Sequence, residues 1–360
     1  MNTKTKKIVV AMSGGVDSSV AAALLVEAGH EVIGVTIKLW PGGECEKDRP
    51  LKSCCSLSAI DDARSVADML NIRHHVVDFS KEAQSELIDY FCREYSHGRT
   101  PNPCIVCNEK LKFGKLLEWA KKLGCDHVAT GHYARSEETG GRYILKEADY
   151  KDKDQSYVLF SLTQEQLASA IFPLAGKTKD EVRALAAKLG LKVHDKVESQ
   201  EICFVEGDYR DLLKEKKIDG LEPGDIVDGG GLVLGRHKGF ASYTLGQRKG
   251  LGIANSQPLY VTRIEPETNR IVVGIKDDVK RREFLVKGIN WISQKPSDEK
   301  RRADVKIRSQ HKKALATLHM IDDSVKVIFD QPQEAPTPGQ AAVFYDKDTV
   351  LGGGWIEESY

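Results

Sequence analysis

"VVAMSGGVDSSVAAALL", Val9 to Leu25, joins an apolar run to an Ala/Leu-rich run through Ser13-Gly14-Gly15. The first run is short and continuous, the pattern of a strand buried on both faces. Asp17 and Ser18 stand where the second run opens as a helix. Gly14 and Gly15 permit positive φ and let backbone N–H groups approach an anion closely. The donors and dipole of the helix N-terminus face the same anion. A Walker-type loop follows its glycines with a lysine that reaches the β- and γ-phosphates, and none follows here. The expectation is a loop that holds pyrophosphate as a leaving group while an acceptor attacks the α-phosphorus and takes AMP. The competing reading is a strand-to-helix turn with no ligand, for which Ser-Gly-Gly-x-Asp-Ser is a demanding pattern.

Outward from this loop, Lys7–Met12 reads as the strand and Asp17–Ala28 as the helix, stopped by Gly29. Glu31–Trp40 and Ile72–Phe79 read as strands, Ser56–Leu70, Glu82–Tyr95 and Asn108–Leu123 as helices, and Asp126–Thr130 as a further short strand. Strands separated by helices predict an α/β fold with a doubly wound parallel sheet and ligands at the C-terminal strand ends. Ser13-Gly14-Gly15 and Gly131-His132 both fall at such ends. Residues 160–190 are expected to be helical, and Thr163 with Gln166 and Thr178 with Glu181 have capping-box spacing. From about Gly220, short strands alternate with Gly and Pro turns, as in "LEPGDIVDGGGLVLGRHKGF". Later segments such as "SVKVIFD" and "QAAVFYD" continue the pattern. A small central β-rich domain and a C-terminal β-barrel are expected, with the chain divided as 1–210, 211–279 and 280–360.

A chain of 360 residues has room for two or three cores, and 41% hydrophobic content is globular. No apolar run approaches the roughly 20 residues of a spanning helix. The start, MNTKTKK, lacks the features of a signal peptide, so a cytoplasmic protein with no membrane partner is expected. Lys+Arg and Asp+Glu both total 53, so net charge gives no argument for nucleic acid. Between Lys280 and Lys313, however, 12 basic residues face 4 acidic ones, which suits either a solvated face or a stripe of phosphate contacts. All eight cysteines, Cys45, Cys54, Cys55, Cys92, Cys104, Cys107, Cys125 and Cys203, lie in the first part of the chain. In a reducing compartment this is no disulfide framework, and it points to thiol or metal chemistry there.

"GRTPNPCIVCNEKLKFG" bears on which. Pro101 and Pro103 stiffen the approach to Cys104 and Cys107, and Asn108 is a good N-cap for the helix that follows. A thiol at a helix N-terminus has a lowered pKa and more thiolate. The alternatives are two buried cysteines packed as small apolar groups, or a zinc site that lacks its second pair. Cys203, in "ESQEICFVEG", reads either as a core cysteine or as a second thiol. Two thiols divide the work of sulfur transfer: one receives a terminal sulfur as a persulfide and the other releases it by disulfide exchange.

The loop resembles the PP-loop of the ATP pyrophosphatase superfamily, whose members adenylate a carbonyl oxygen and then replace it with a nucleophile. The ordered stretches AMSGGVDSS, GRTPNPCIVCN, ATGHYAR, KDKDQSYVL, ESQEICF, SYTLGQRKGLGI and PTPGQAAVFY closely resemble the tRNA-specific 2-thiouridylase (MnmA) family over nearly the full chain. The resemblance implies a PP-loop domain, a small central domain and a C-terminal barrel. It also implies 2-thiolation of the wobble uridine, U34, in tRNAs for Lys, Glu and Gln. Ala11, Met12, Ser13, Gly14, Gly15, Val16, Asp17 and Ser18 would then hold ATP, with Ile37 and Gly131 on the adenosine side and Mg²⁺ neutralising the phosphates. Asn102, Pro103 and Cys104 would lie against the target base. Cys107 would be the nucleophile, paired by a transient disulfide with Cys203, the persulfide carrier. His132, Lys153, Asp154, Gln155, Arg308 and Gln340 would contact tRNA. A cysteine desulfurase or sulfur-carrier protein would donate the sulfur.

Many family members have Asp where this chain has Cys104. Three thiols, Cys104, Cys107 and Cys203, with an open fourth position suit a [4Fe–4S] cluster whose unique iron binds sulfide. Persulfide relay and cluster-bound sulfide therefore both stand at the level of sequence. The spacing of Cys45, Cys54 and Cys55 is too irregular for a metal site, and His74 and His75 read as structural. Two further readings are a PP-loop amidating enzyme, for which no glutaminase-like stretch is present, and an RNA-binding protein that uses ATP as a switch.

Overall fold

The computed structural model describes residues 5–39, 57–191, 193, 202–205, 207–297 and 299–359. Cys45, Cys54 and Cys55 lie outside the described residues. The chain divides into two compact units. One comprises Met1–Leu87, Cys104–Glu206 and Asp348–Val350; the other comprises Ile88–Pro103, Gly207–Lys347 and Leu351–Tyr360.

The first unit is built on a parallel sheet. Its strands are β1 (Lys7–Ala11), β2 (Glu31–Lys38), β3 (Arg73–Asp78), β4 (His127–Ala129) and, after the hairpin β5 (Ala134–Thr139) and β6 (Arg142–Glu147), β7 (Ala170–Ile171). The sheet order is β3-β2-β1-β4-β7, and its registers are parallel throughout. Ile8, Val9 and Val10 of β1 are fully buried, which is why the run is apolar without alternation. Helix α1 (Val16–Glu27) follows β1, and α2 (Leu57–Met69) joins β2 to β3. Strand succession reverses between β1 and β4, so the crevice at their C-terminal ends is the topological switch point.

Several local expectations are corrected. Helix α1 starts at Val16, one residue earlier than expected. Residues 160–190 are not helical throughout: β7 interrupts them as a fifth parallel strand beside β4. Two residues are too few to show a period, so neighbouring helices hide such a strand. The hairpin β5–β6 turns on Gly140-Gly141, both at positive φ, as a two-residue hairpin loop requires. Both capping boxes are present as expected, Thr163 with Gln166 and Thr178 with Glu181.

Among its described residues the second unit contains helices Asp89–Ser96 and Tyr209–Glu215 and ten strands. Four, β8 (Gly224–Val227), β9 (Val233–His237), β10 (Tyr260–Glu265) and β11 (Arg270–Gly274), form a small sheet in the order β10-β11-β8-β9. The other six are β12 (Lys280–Trp291), β13 (Arg301–Lys306), β14 (Ala314–Ile321), β15 (Ser324–Glu334), β16 (Ala341–Asp346) and β17 (Thr349–Ser359). They run β12-β15-β14-β13-β16-β17 and close into a barrel through β12–β17 pairing. Phe284, Val286, Val305, Val327, Phe329 and Phe344 fill its interior.

Candidate active site

The glycine turn is shaped by two different constraints. Gly14 sits at φ +68°, and a Cβ there would lie 2.2 Å from the Ala59 carbonyl oxygen of α2, so no side chain fits. Gly15 is extended (φ −101°, ψ 164°) and is the N-cap of α1. Both glycines permit positive φ; only Gly14 uses it, because an N-cap residue takes the β region. Ser18 Oγ and Ser19 Oγ donate back to the Gly15 carbonyl at 3.1 and 2.9 Å. The Ser13 N–H donates to Ser18 Oγ at 3.2 Å. The serines thus brace the turn from within.

Asp17 is the hub of the site. Both its carboxylate oxygens accept from Lys179 Nζ at 2.8 Å, and Oδ1 also accepts from the Tyr133 hydroxyl at 2.7 Å. A Cβ on Gly131 would lie 2.8 Å from Asp17 C and Ser18 N, so the turn after β4 abuts the first turn of α1. Three segments therefore meet at the switch point: the glycine turn with the start of α1, the turn bearing Gly131 and Tyr133, and the start of helix Lys179–Lys188. Lys179 and Tyr133 were missed in the sequence. The Thr178–Glu181 box fixed where the helix begins, but not which carboxylate its first residue would face.

Between β1 and β2, the Met12 carbonyl accepts from Thr36 Oγ1 at 2.8 Å. Thr36 Oγ1 lies 2.9 Å from His74 Nε2. With the hydroxyl proton committed to Met12, His74 must donate through Nε2–H. Burial, then the Arg64 charge, push its pKa down, so this imidazole is neutral and structural. Ile37 stands near the C-terminal end of β2, opposite Val77.

The cysteine pair departs from expectation. Asn108 is not an N-cap. Helical turns begin at Pro103, through Pro103–Val106, and continue as a π-helix over Cys107–Lys115. Proline at a first helical position explains the earlier start, since its missing N–H is one the helix cannot use. Cys104, not Cys107, therefore occupies the first turn. Cys104 is exposed; desolvation by the surrounding chain raises its thiol pKa, and the Lys112 charge opposes this. Cys107 is buried. Asn108 Nδ2 donates to the Val158 carbonyl at 2.9 Å, and Asn108 Oδ1 accepts from Lys112 Nζ at 2.9 Å. Gly114 suits the wider helix: a Cβ there would lie 2.9 Å from the Glu109 carbonyl, five residues back.

Other expected site residues are placed inward. His132 is buried with Nδ1 2.7 Å from Thr130 Oγ1. Burial, then Lys112, push its pKa well down, so it is a neutral loop histidine. Asp154 accepts from Ala148 N, Ser156 N and Ser156 Oγ at 3.1, 3.1 and 2.8 Å, and burial raises its pKa. Gln155 Oε1 accepts from Tyr133 N at 3.0 Å. The side-chain oxygens of Asp154 and Gln155 hold the loop itself, leaving Lys153, in the turn Lys151–Lys153, as the cation of the trio. Among the described residues no group of three or more His, Cys, Asp or Glu is placed to hold a metal ion. The [4Fe–4S] reading of Cys104, Cys107 and Cys203 therefore draws no support from the described residues.

The second unit carries the remaining residues. Gln340 Nε2 donates to the carbonyls of Thr100 and Pro101 at 2.9 and 3.2 Å, and thereby holds the segment ahead of Asn102 and Pro103. Arg308 donates to the Glu334 carbonyl. Both line a cavity of about 310 Å³ together with Thr100, Thr244, Tyr260 and Thr337. The basic run Lys280–Lys313 is partly neutralised locally, with Arg302 on Asp330 and Lys280 on Asp277.

Comparisons with known proteins agree with this reading. The family described as "tRNA methyl transferase HUP domain" matches residues 6–207. A "tRNA methyl transferase PRC-barrel domain" matches 211–275, and an "Aminomethyltransferase beta-barrel domain" matches 281–356. A tRNA-specific 2-thiouridylase MnmA of Moorella thermoacetica is 50% identical, covering 97% of this chain and 98% of that protein. One from Clostridioides difficile is 47% identical, covering 98% and 99%. One from Caldanaerobacter subterraneus subsp. tengcongensis is 51% identical, covering 98% of each. Similarity of this degree over the whole length, added to the PP-loop crevice and the cysteine pair, leads to one conclusion: the chain belongs to the MnmA family of tRNA-specific 2-thiouridylases.

Proposed function

We propose that the chain is an ATP-dependent tRNA-uridine 2-sulfurtransferase acting on C2 of the wobble uridine, U34. The observation that carries the reading is a glycine turn without a Walker lysine at the switch point, in the same unit as Cys104, Cys107 and Cys203. The carbonyl oxygen at C2 is a poor leaving group. It attacks the α-phosphorus of Mg²⁺·ATP, pyrophosphate leaves with the bonding electron pair, and the N3 proton passes to solvent. Ala11 to Ser18 cradle the phosphates, and Ile37 and Gly131 flank the adenosine. An anticodon-loop base can splay out to reach such a crevice, as a base in a stem cannot.

Sulfur follows by persulfide relay. The terminal sulfur of the Cys203 persulfide attacks C2 and AMP leaves. The Cys107 thiolate then attacks the inner Cys203 sulfur, forming a Cys107–Cys203 disulfide and releasing 2-thiouridine. A dithiol reductant restores the pair, and a cysteine desulfurase or carrier protein reloads Cys203. Asn102, Pro103 and Cys104 lie against the base. Lys153 and Arg308 contact the tRNA, and His132, Asp154, Gln155 and Gln340 serve it by holding the protein's own loops rather than phosphate. The substrates are the Lys, Glu and Gln isoacceptors, and the setting is the cytoplasm.

The test combines ATP, Mg²⁺, a cysteine desulfurase with free cysteine as the persulfide donor, a dithiol reductant and unmodified tRNA, with nucleoside mass spectrometry. 2-Thiouridine appears with AMP and pyrophosphate; release of ADP overturns the reading. Cys107→Ser is expected to abolish thiolation while ATP and tRNA binding persist.

A further inference from the structure

We propose that Lys179 is the cation of the pyrophosphate site, supplying from a helix far along the chain the charge that the glycine turn omits. The proposal rests on the reading above, in which the turn holds ATP for attack at the α-phosphorus. Lys179 opens helix Lys179–Lys188, and its Nζ lies 2.8 Å from both oxygens of Asp17, in the first turn of α1. Its side chain is 12% exposed, so the ammonium reaches the crevice on a packed stem. The position is fixed twice over: the Thr178–Glu181 capping box sets the helix start, and Val182 and Ala186 share one core with Val16 and Val20.

Docking of the helix therefore does not need the ion pair, and a desolvated pair adds little net stability over apolar packing. The arrangement suits charge transfer to a ligand. Asp17 already accepts from Tyr133, so it keeps a partner when Lys179 turns away. A lysine ammonium on a flexible stem can swing between neighbouring acceptors. In the first chemical step the acceptor oxygen bonds to the α-phosphorus while the bond from that phosphorus to the α–β bridging oxygen breaks. The electron pair stays on pyrophosphate, and no proton is asked of Lys179. A fixed positive charge beside the departing oxygens stabilises the charge that develops there.

The experiment compares ligands that differ only in the β- and γ-phosphates. Lys179→Met is expected to weaken binding of ATP and of inorganic pyrophosphate about 10- to 100-fold, with AMP affinity unchanged. Lys179→Arg is expected to retain most of the preference for ATP over AMP. Retained ATP and pyrophosphate affinity in Lys179→Met, or equal losses for ATP and AMP, overturns the proposal. A second measurement needs no substitution. Acylation of Lys179 in the wild-type chain, followed by peptide mass spectrometry, is expected to be slowed by ATP and pyrophosphate but not by AMP; equal protection by AMP overturns the assignment. Failure of the parent reading takes this proposal with it and is told apart by the wild-type chain binding no ATP at all.

Discussion

At Gly131 one added methyl group decides whether the nucleotide crevice survives. The Cβ would lie 2.8 Å from backbone atoms of Asp17 and Ser18, closer than carbon atoms pack, and neither neighbour is a flexible side-chain end. Gly131→Ala is expected to displace the first turn of α1, lower stability by about 1–3 kcal/mol and weaken ATP binding at least tenfold, as read by calorimetry and urea melts. From sequence the residue stood out by its place at a strand end and by resemblance, but the collision did not, because it involves an element more than a hundred positions away. His132 shows the same limit. It reads as a crevice histidine, yet burial holds it neutral. Its folded pKa lies below the unfolded value of 6.5, so protons favour the unfolded chain. Its contribution is complete above pH 6.5 and is lost as pH falls toward the folded pKa, at about 1.4 kcal/mol per unit. Urea midpoints measured between pH 7.5 and 5.5 are expected to drop less in His132→Asn than in wild type.

Among the elements, the π-helix Cys107–Lys115 was the least legible. Its apolar residues fit an ordinary helical period, and the wider turn shows only in contacts: Gly114 against the Glu109 carbonyl, and the Gln166 Nε2 that donates to that same carbonyl at 2.9 Å. π-turns of this kind cluster at functional sites. Asn108 ties this helix to the Val158 carbonyl, so Asn108→Ala leaves a half-buried acceptor without this donor. A loss of about 1–3 kcal/mol is expected, with thiolation reduced while ATP affinity stays as in wild type. The strand β1, helix α1 and both capping boxes were legible because each is settled within a few residues. Thr178→Ala tests one of these boxes. It is expected to cost about 1 kcal/mol and, by loosening the helix start beside Lys179, to weaken ATP more than AMP in direct binding measurements.

For the whole molecule, contacts across long sequence separations hold the approach to the cysteine pair. Arg99 donates to both oxygens of Glu357 at 3.0 and 3.1 Å and to Glu94 at 2.7 Å. The Thr100 N–H donates to the Pro338 carbonyl at 2.9 Å, and Gln340 fastens Thr100 and Pro101. The barrel strands were legible in their alternation. That Glu357 of the last strand, with Pro338 and Gln340 ahead of β16, would clamp residues 99–101 was not, since pairing between distant segments leaves no period to read. The Arg99 side chain is 23% exposed, so removing Glu357 leaves a mostly desolvated charge with one carboxylate fewer. Glu357→Ala is expected to destabilise the second unit by about 2–4 kcal/mol and to speed tryptic cleavage after Arg99. Because the chain passes from Pro103 straight into the turn bearing Cys104, thiolation should fall along with it. The residues proposed to bind ATP belong to the other unit, so ATP binding should hold at the wild-type value. A Glu357→Ala chain that thiolates tRNA normally while cleaving faster at Arg99 would show that the clamp serves folding alone.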